Sequence, residues 1–195
     1  MSNYLIAFCV IVSGGTFIVF AQIARARAVG KRGGSIRVAA RGPAQIAPYF
    51  FWVPYVLVVL RPAPELDVPD ALRVIGCAAA VAGVGLALWA IGVLGRHYDL
   101  VLEIHADHEL VRSGPYAFVR HPVYTGLAVH FLGACLATGN ALLIVGTLLG
   151  TLPLFVVRAR LEEGLLRTRF GGAYDRYASE VPMLVPGVRW PGGKT

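Results

Sequence analysis

The segment HELVRSGPYAFVRHPVYTG, residues 108–126, gathers His108, Arg112, Tyr116, Arg120, His121 and Tyr124 immediately ahead of a long apolar run. Pro122 suits the first turn of a helix, with His121 as its cap. The backbone N–H groups at such a helix start carry partial positive charge and suit a carboxylate or a phosphate, and Arg120 adds a full charge. The same residue types also serve as plain anchors at lipid headgroups. A second constellation, Arg158, Arg160, Glu162 and Glu163, follows the apolar run. Adjacent carboxylates near hydrocarbon are costly unless a cation matches them. Arg158 and Glu162 stand four apart and share a helix face. They could pair with each other for a few tenths of a kcal/mol, or receive ligand groups of opposite sign. A ligand carrying both signs would use the whole set.

The elements that must position these residues are apolar. Of 195 residues, 56% are hydrophobic and 15% charged, with a mean hydropathy of +0.65, against about 25% charged for a soluble domain. This excludes an ordinary soluble module and a disordered chain. The net charge of +7 lies between apolar runs rather than on one basic face, which argues against nucleic acid. Cys9, Cys77 and Cys135 each sit in an apolar stretch and read as buried small hydrophobes; neither disulfide nor metal is expected. One domain, 1–195, is expected, built around a bilayer.

A helix needs about 20 apolar residues to cross hydrocarbon. Residues 4–24, 44–60 and 74–95 qualify, and in 122–157 only His130 and Tyr124 are ionisable before the basic tail. Gly139 and Asn140 mark a turn inside that last run, giving a tight hairpin with arms of about 17 residues. The expected fold is therefore all-α, a polytopic membrane protein of five transmembrane helices plus an interfacial C-terminal helix. Pro48 and Pro54 should kink the second span. Gly76, Ala80, Gly83 and Gly85 give the third a small-residue side for close packing, or a place where Gly83 and Gly85 admit a cofactor to the backbone. The first span lacks a basic leader and a cleavage motif, so it reads as a retained helix.

Arg25, Arg27, Lys31, Arg32, Arg37 and Arg41 follow the first span without an acidic residue, whereas Arg61 in the second loop faces Glu65, Asp67 and Asp70. The excess of positive charge sets the N-terminus outside. Alternation then puts 96–121 and the tail in the cytoplasm and the Gly139–Asn140 turn outside. Beyond Arg158, Leu161, Leu165, Leu166, Phe170, Tyr174 and Tyr177 recur at helical spacing, which predicts an amphipathic helix at the interface, bent or broken at Gly171 and Gly172.

The ordered set formed by 108–126 and RARLEEGLLRTRFGGAYDRYASEVP resembles the C-terminal half of the isoprenylcysteine carboxyl methyltransferase family and its phospholipid methyltransferase relatives. The resemblance covers residues 96–186. It rests on the R-H-P-x-Y-x-G element at 120–126 and on the R-x-x-x-E-E, F-G, Y-x-x-Y and V-P series that follows. It implies an S-adenosylmethionine-dependent membrane methyltransferase, with S-adenosylhomocysteine as product. His108, Glu109, Leu110, Val111, Tyr116, Arg120, His121, Pro122, Val123 and Tyr124 would then line the donor pocket, with Glu163 beside them. Glu162 would hold the donor's amino group, and Arg158 would meet the substrate's carboxylate as the substrate-binding and catalytic residue. The implied acceptor is an isoprenylcysteine-type lipophilic acid entering from the bilayer; a phospholipid amine and a thiol are the alternatives. Glu109, Arg112 and Gly164 depart from the family pattern. The compact form looks prokaryotic, which implies the inner (cell) membrane with the site facing the cytoplasm.

A carboxylate is already ionised near neutral pH, so its methylation needs positioning rather than a general base. Two rivals remain open from the residues: an NAD(P)H-dependent membrane reductase of the steroid-reductase type, and a non-catalytic lipid-binding membrane protein. No obligate protein partner is indicated.

Overall fold

In the computed structural model, described for residues 2–30, 36–39, 52–60, 63–95, 98, 103–105 and 109–188, the chain is a helical bundle. Its elements are α1 (Ser2–Gly30), β1 (Ile36–Ala39), α2 (Val53–Leu60), α3 (Asp70–Leu94), β2 (Glu103–His105), α4 (Pro122–Thr138), α5 (Ala141–Phe170) and α6 (Gly172–Glu180). Among these residues, α3 and α5 are long and apolar enough to cross a membrane; Ala7–Phe20 within α1 and Pro122–Thr138 are shorter apolar helices. Of the second expected span, 44–60, the described part is Trp52 and α2, and Pro54 stands in the first turn of α2 rather than kinking a longer helix. Proline fits there because its missing N–H is one that a helix start leaves unpaired. Pro48 and His108 lie outside the described residues.

The expected hairpin forms. Gly139 closes α4 with φ 66°, a left-handed turn that glycine takes without steric cost. Asn140 then caps α5, its side-chain oxygen accepting the Leu143 N–H at 3.0 Å. The second arm differs from expectation. No fresh helix begins at Arg158: α5 runs from Ala141 to Phe170, through a π-helical turn at Thr147–Thr151 that precedes Pro153. A proline cannot supply its N–H to the turn before it, and a widened turn accommodates that loss. Only Gly171, at φ 52°, breaks the helix before α6.

The small residues of α3 form a close contact with α4. A Cβ on Gly76 would lie 2.5 Å from the Ala137 nitrogen, and one on Gly83 2.5 Å from the His130 nitrogen. The backbones therefore touch at two levels, as membrane helices do where small residues face each other. Gly83 is covered by protein and offers no approach to a cofactor, while Gly85 has open space around it and takes no part in the contact.

His130 ties the bundle together in its apolar middle. Its Nδ1 lies 3.1 Å from the Ala80 carbonyl, and its Nε2 lies 2.6 Å from Ser13 Oγ and 3.1 Å from Tyr55 Oη. A carbonyl can only accept, so Nδ1 carries the proton and Nε2 accepts. One residue thus joins α1, α2, α3 and α4 while leaving no ring nitrogen unpaired in a low-dielectric setting.

Pairings between loops fix which loops share an end. β1 and β2 form a short antiparallel ribbon, the one departure from helix and turn among the described elements, with Ile36 opposite His105 and Ala39 opposite Glu103. The loops after α1 and α3 are therefore at one end. At the other, Glu65 pairs with Asn140, Leu66 N–H donates to Gly139 O at 2.8 Å, and Arg73 caps the Ala137 and Thr138 carbonyls, each at 3.1 Å.

Candidate functional site

The chemistry-bearing residues converge at the β1–β2 end. A 3-10 turn, Gly114–Ala117, leads into α4. Gly114 has φ 60°, a conformation that favours glycine, and a Cβ there would press on Val93 Cγ2 at 3.1 Å. Tyr177 Oη donates to the Tyr116 carbonyl at 2.6 Å, and Arg112 reaches the Ala173 carbonyl at 2.7 Å while lying over the Tyr177 ring. α6 is thereby docked against the turn. Arg112 thus has a structural task that its position in sequence did not suggest.

The chain after α6 returns across the start of α4. Arg120 N–H donates to Pro182 O at 2.9 Å and His121 N–H to Met183 O at 3.0 Å, while Thr125 Oγ1 donates to Leu184 O at 2.7 Å. The His121 amide, at the helix start expected to face an anion, is thus occupied, as is the Arg120 amide before it, by residues 181–184, which act as a strap. The Arg120 guanidinium is occupied too. Its Nε donates to Glu163 Oε1 at 2.8 Å, Nη2 lies 2.6 Å from the same oxygen, and Nη1 donates to the Ala178 and Val181 carbonyls.

The adjacent acidic residues have different surroundings. Glu163 is 7% exposed and, besides Arg120, faces Arg167 at 3.4 Å; Glu162 is 34% exposed. Consecutive helical residues point about 100° apart, so Glu163 is turned inward and Glu162 toward the surface. Glu162 Oε2 accepts from Tyr124 Oη at 3.2 Å, and Tyr124 Oη accepts from Arg158 Nε at 2.8 Å. Arg158 and Glu162 are linked through this hydroxyl, a third group that four-residue spacing could not reveal. The Tyr124 ring stacks between His121, at 5.7 Å, and Phe155, at 5.8 Å.

His121 is buried, with Nδ1 3.6 Å from Glu162 Oε2 and Nε2 3.5 Å from Glu163 Oε1. Burial favours the neutral ring, but the two carboxylates outweigh it and hold the His121 pKa above its usual value. Its ionic contribution to stability is complete below the ordinary histidine pKa and is lost as pH rises through the raised one.

Glu109, Leu110 and Val111 line an open cleft of about 590 Å³ together with Val93, Arg112 and Ser113. Pro122 is buried and Val123 half-buried at the start of α4. The sequence alone assigned no place in the site to Phe155, Arg167, Tyr174, Tyr177 or the strap; Tyr174 and Tyr177 were expected only on the apolar face of an interfacial helix. The i, i+4 spacing of Glu163 and Arg167 was a usable signal; contacts between Arg120 and distant carbonyls had none.

Residues 74–168 match the isoprenylcysteine carboxyl methyltransferase (ICMT) family. The match spans most of α3, all of α4 and nearly all of α5 and stops before α6. A protein-S-isoprenylcysteine O-methyltransferase of Schizosaccharomyces pombe is 42% identical over 41% of this chain and 34% of its own length. A relative from Oryza sativa subsp. indica, named probable protein-S-isoprenylcysteine O-methyltransferase, is 30% identical over 63% of this chain and 65% of its own length. The similar regions thus cover from a third to just under two thirds of these relatives. Among solved structures, the eukaryotic intramembrane Ras methyltransferase ICMT superposes with a TM-score of 0.58 at 29% identity, over 76% of this chain and 55% of that one.

Proposed function

We propose, from the match of residues 74–168 to the isoprenylcysteine carboxyl methyltransferase family and the similarity to its relatives, that the chain is a member of that family, a membrane methyltransferase that esterifies the carboxylate of an isoprenylcysteine-type lipophilic substrate. The observation that carries this reading is the Arg158–Tyr124–Glu162 link, at 2.8 and 3.2 Å. It sets a cation and an anion on successive turns of one helix. The cation suits an acceptor's carboxylate and the anion a donor's ammonium.

S-adenosylmethionine is the donor that fits. Its amino-acid head matches the partly exposed Glu162, and its nucleoside end matches the mixed polar and apolar cleft of Glu109, Leu110 and Val111. When bound, it supplies an activated methyl group. The same reading assigns His121, Pro122, Val123, Tyr124 and Tyr116 to the rest of the donor pocket, with the mutually paired Arg120 and Glu163 holding the start of α4 against α5. Arg158, buried and held by Tyr124, orients the carboxylate for attack. A guanidinium is suited to this because its planar fork grips both carboxylate oxygens. A carboxylate with an ordinary pKa near 4 is ionised already, so no residue need remove a proton.

Five membrane helices, with the N-terminus outside and the site on the cytoplasmic side of a prokaryotic inner membrane, complete the proposal. The basic first loop supports that orientation. So does the β1–β2 ribbon, which brings that loop to the same end as the site.

Calorimetric titration of the detergent-purified protein with S-adenosylhomocysteine, beside NADPH, tests the donor pocket. S-adenosylhomocysteine is expected to bind saturably, and Glu162→Ala to weaken it about 10- to 100-fold, the scale of one charged hydrogen bond. Saturable binding of NADPH alone would make the protein a reductase, and binding of neither by folded protein would leave a non-catalytic lipid binder.

A further inference from the structure

The His121 ring poses a question of charge that its tautomers answer. Both nitrogens face carboxylate oxygens, Nδ1 toward Glu162 at 3.6 Å and Nε2 toward Glu163 at 3.5 Å, and Nε2 makes no well-directed hydrogen bond. A neutral imidazole has one N–H and one lone pair. Either tautomer would aim a lone pair at a carboxylate; only the imidazolium presents N–H to both.

The two carboxylates do not need that charge equally. Glu163 has Arg120 at 2.6 Å and Arg167 at 3.4 Å, and Arg167 is in turn held by Asp175 at 3.2 Å. Glu162 has the Tyr124 hydroxyl, with Arg158 behind it. From α6, Tyr174 faces the cluster with its hydroxyl buried, a group that stays neutral over the physiological range. The strap over His121 is Val181, Pro182, Met183 and Leu184, which carry no titratable side chain.

We propose that His121 is the resident counter-ion of Glu162 in the empty site, and that a ligand ammonium arriving at Glu162 takes over this role, so that ligand binding drives His121 to release part of its proton to solvent. This rests on the donor pocket proposed above and adds a specific task to His121. The balance is simple: the His121 N–H bond breaks, its proton goes to buffer, and the ligand's positive charge replaces it beside Glu162. Release is partial because Glu163 remains next to Nε2. The arrangement also favours cationic ligands, since a neutral head group at Glu162 would leave the imidazolium in place.

The test is calorimetric titration of the full chain with S-adenosylhomocysteine near pH 7 in phosphate and in Tris, whose ionisation heats differ widely. The observed heat is expected to depend on the buffer, corresponding to about half a proton released, and affinity to rise about threefold per pH unit as pH increases. His121→Gln is expected to bind with a heat nearly independent of buffer. A merely structural histidine would leave proton stoichiometry at zero. Saturable binding in the wild type with identical heats in both buffers, or equal release in His121→Gln, would overturn the inference while leaving the pocket standing. Absence of saturable binding would overturn the pocket and the inference together. Identical wild-type heats overturn the inference even where the variant does not fold.

Discussion

Replacing Arg158 by alanine is expected to reduce methyl transfer to a carboxylate acceptor by about 100-fold or more, while S-adenosylhomocysteine binding stays within about threefold. The size follows from removing one partner of a buried charge pair, about 3–5 kcal/mol, with each 1.4 kcal/mol worth tenfold in rate. Arg158 is buried, and its Nε already donates to Tyr124, so its guanidinium is oriented before a substrate arrives. Pre-orientation of this kind is how positioning lowers a barrier. Donor binding should survive because Tyr124 Oη still donates to Glu162 in the variant. Lysine at the same position should recover only part of the activity, since an ammonium cannot span both oxygens of a carboxylate. Radiolabelled transfer to a farnesylated cysteine analogue, beside calorimetry on the same preparation, separates the two effects. Equal loss of binding and transfer would contradict the role assigned to Arg158.

Glu163→Ala is expected to destabilise the protein by about 3–5 kcal/mol, the cost of leaving a buried cation without its partner. Arg120 is 11% exposed, and its contacts with Glu163 join the start of α4 to α5, while Nη1 holds the end of α6 and the strap. Loss of Glu163 therefore weakens the junction of these elements. Replacing both residues with apolar side chains, Arg120→Met with Glu163→Leu, should recover part of the loss, because the desolvation penalty disappears with the charges. Thermal denaturation in detergent measures both. A Glu163→Ala protein as stable as the wild type would show that the pair is not the clasp described here.

What the sequence revealed follows the range of the interactions involved. The Gly139–Asn140 turn and the start of α4 at Pro122 depend on residues a few positions apart, and both appear as expected. Gly83 and Gly85 grouped together in sequence, yet residues two apart on a helix differ by about 200° and cannot share a face; only Gly83 meets α4. The continuation of α5 past Arg158 was hidden by the change in composition there, from apolar to charged. Composition marks where hydrocarbon gives way to an aqueous boundary, and a helix can pass through that boundary unbroken. Glu162 and Glu163 were indistinguishable by type. Their division into an outward and an inward carboxylate is decided by Arg120 from one direction and His121 between them. The strap has the least local signature of all, since its backbone carbonyls act on residues about sixty positions earlier, where any side chain could have followed the same path.

The most direct measurement is methyl transfer itself: incubate the purified protein in lipid with methyl-labelled S-adenosylmethionine and N-acetyl-S-farnesylcysteine, then treat the extracted product with alkali. The account predicts label in the lipophilic product that alkali releases as volatile methanol, the signature of a carboxyl methyl ester. Label that resists alkali, or no transfer from a preparation that binds S-adenosylhomocysteine, would contradict the carboxylate as acceptor.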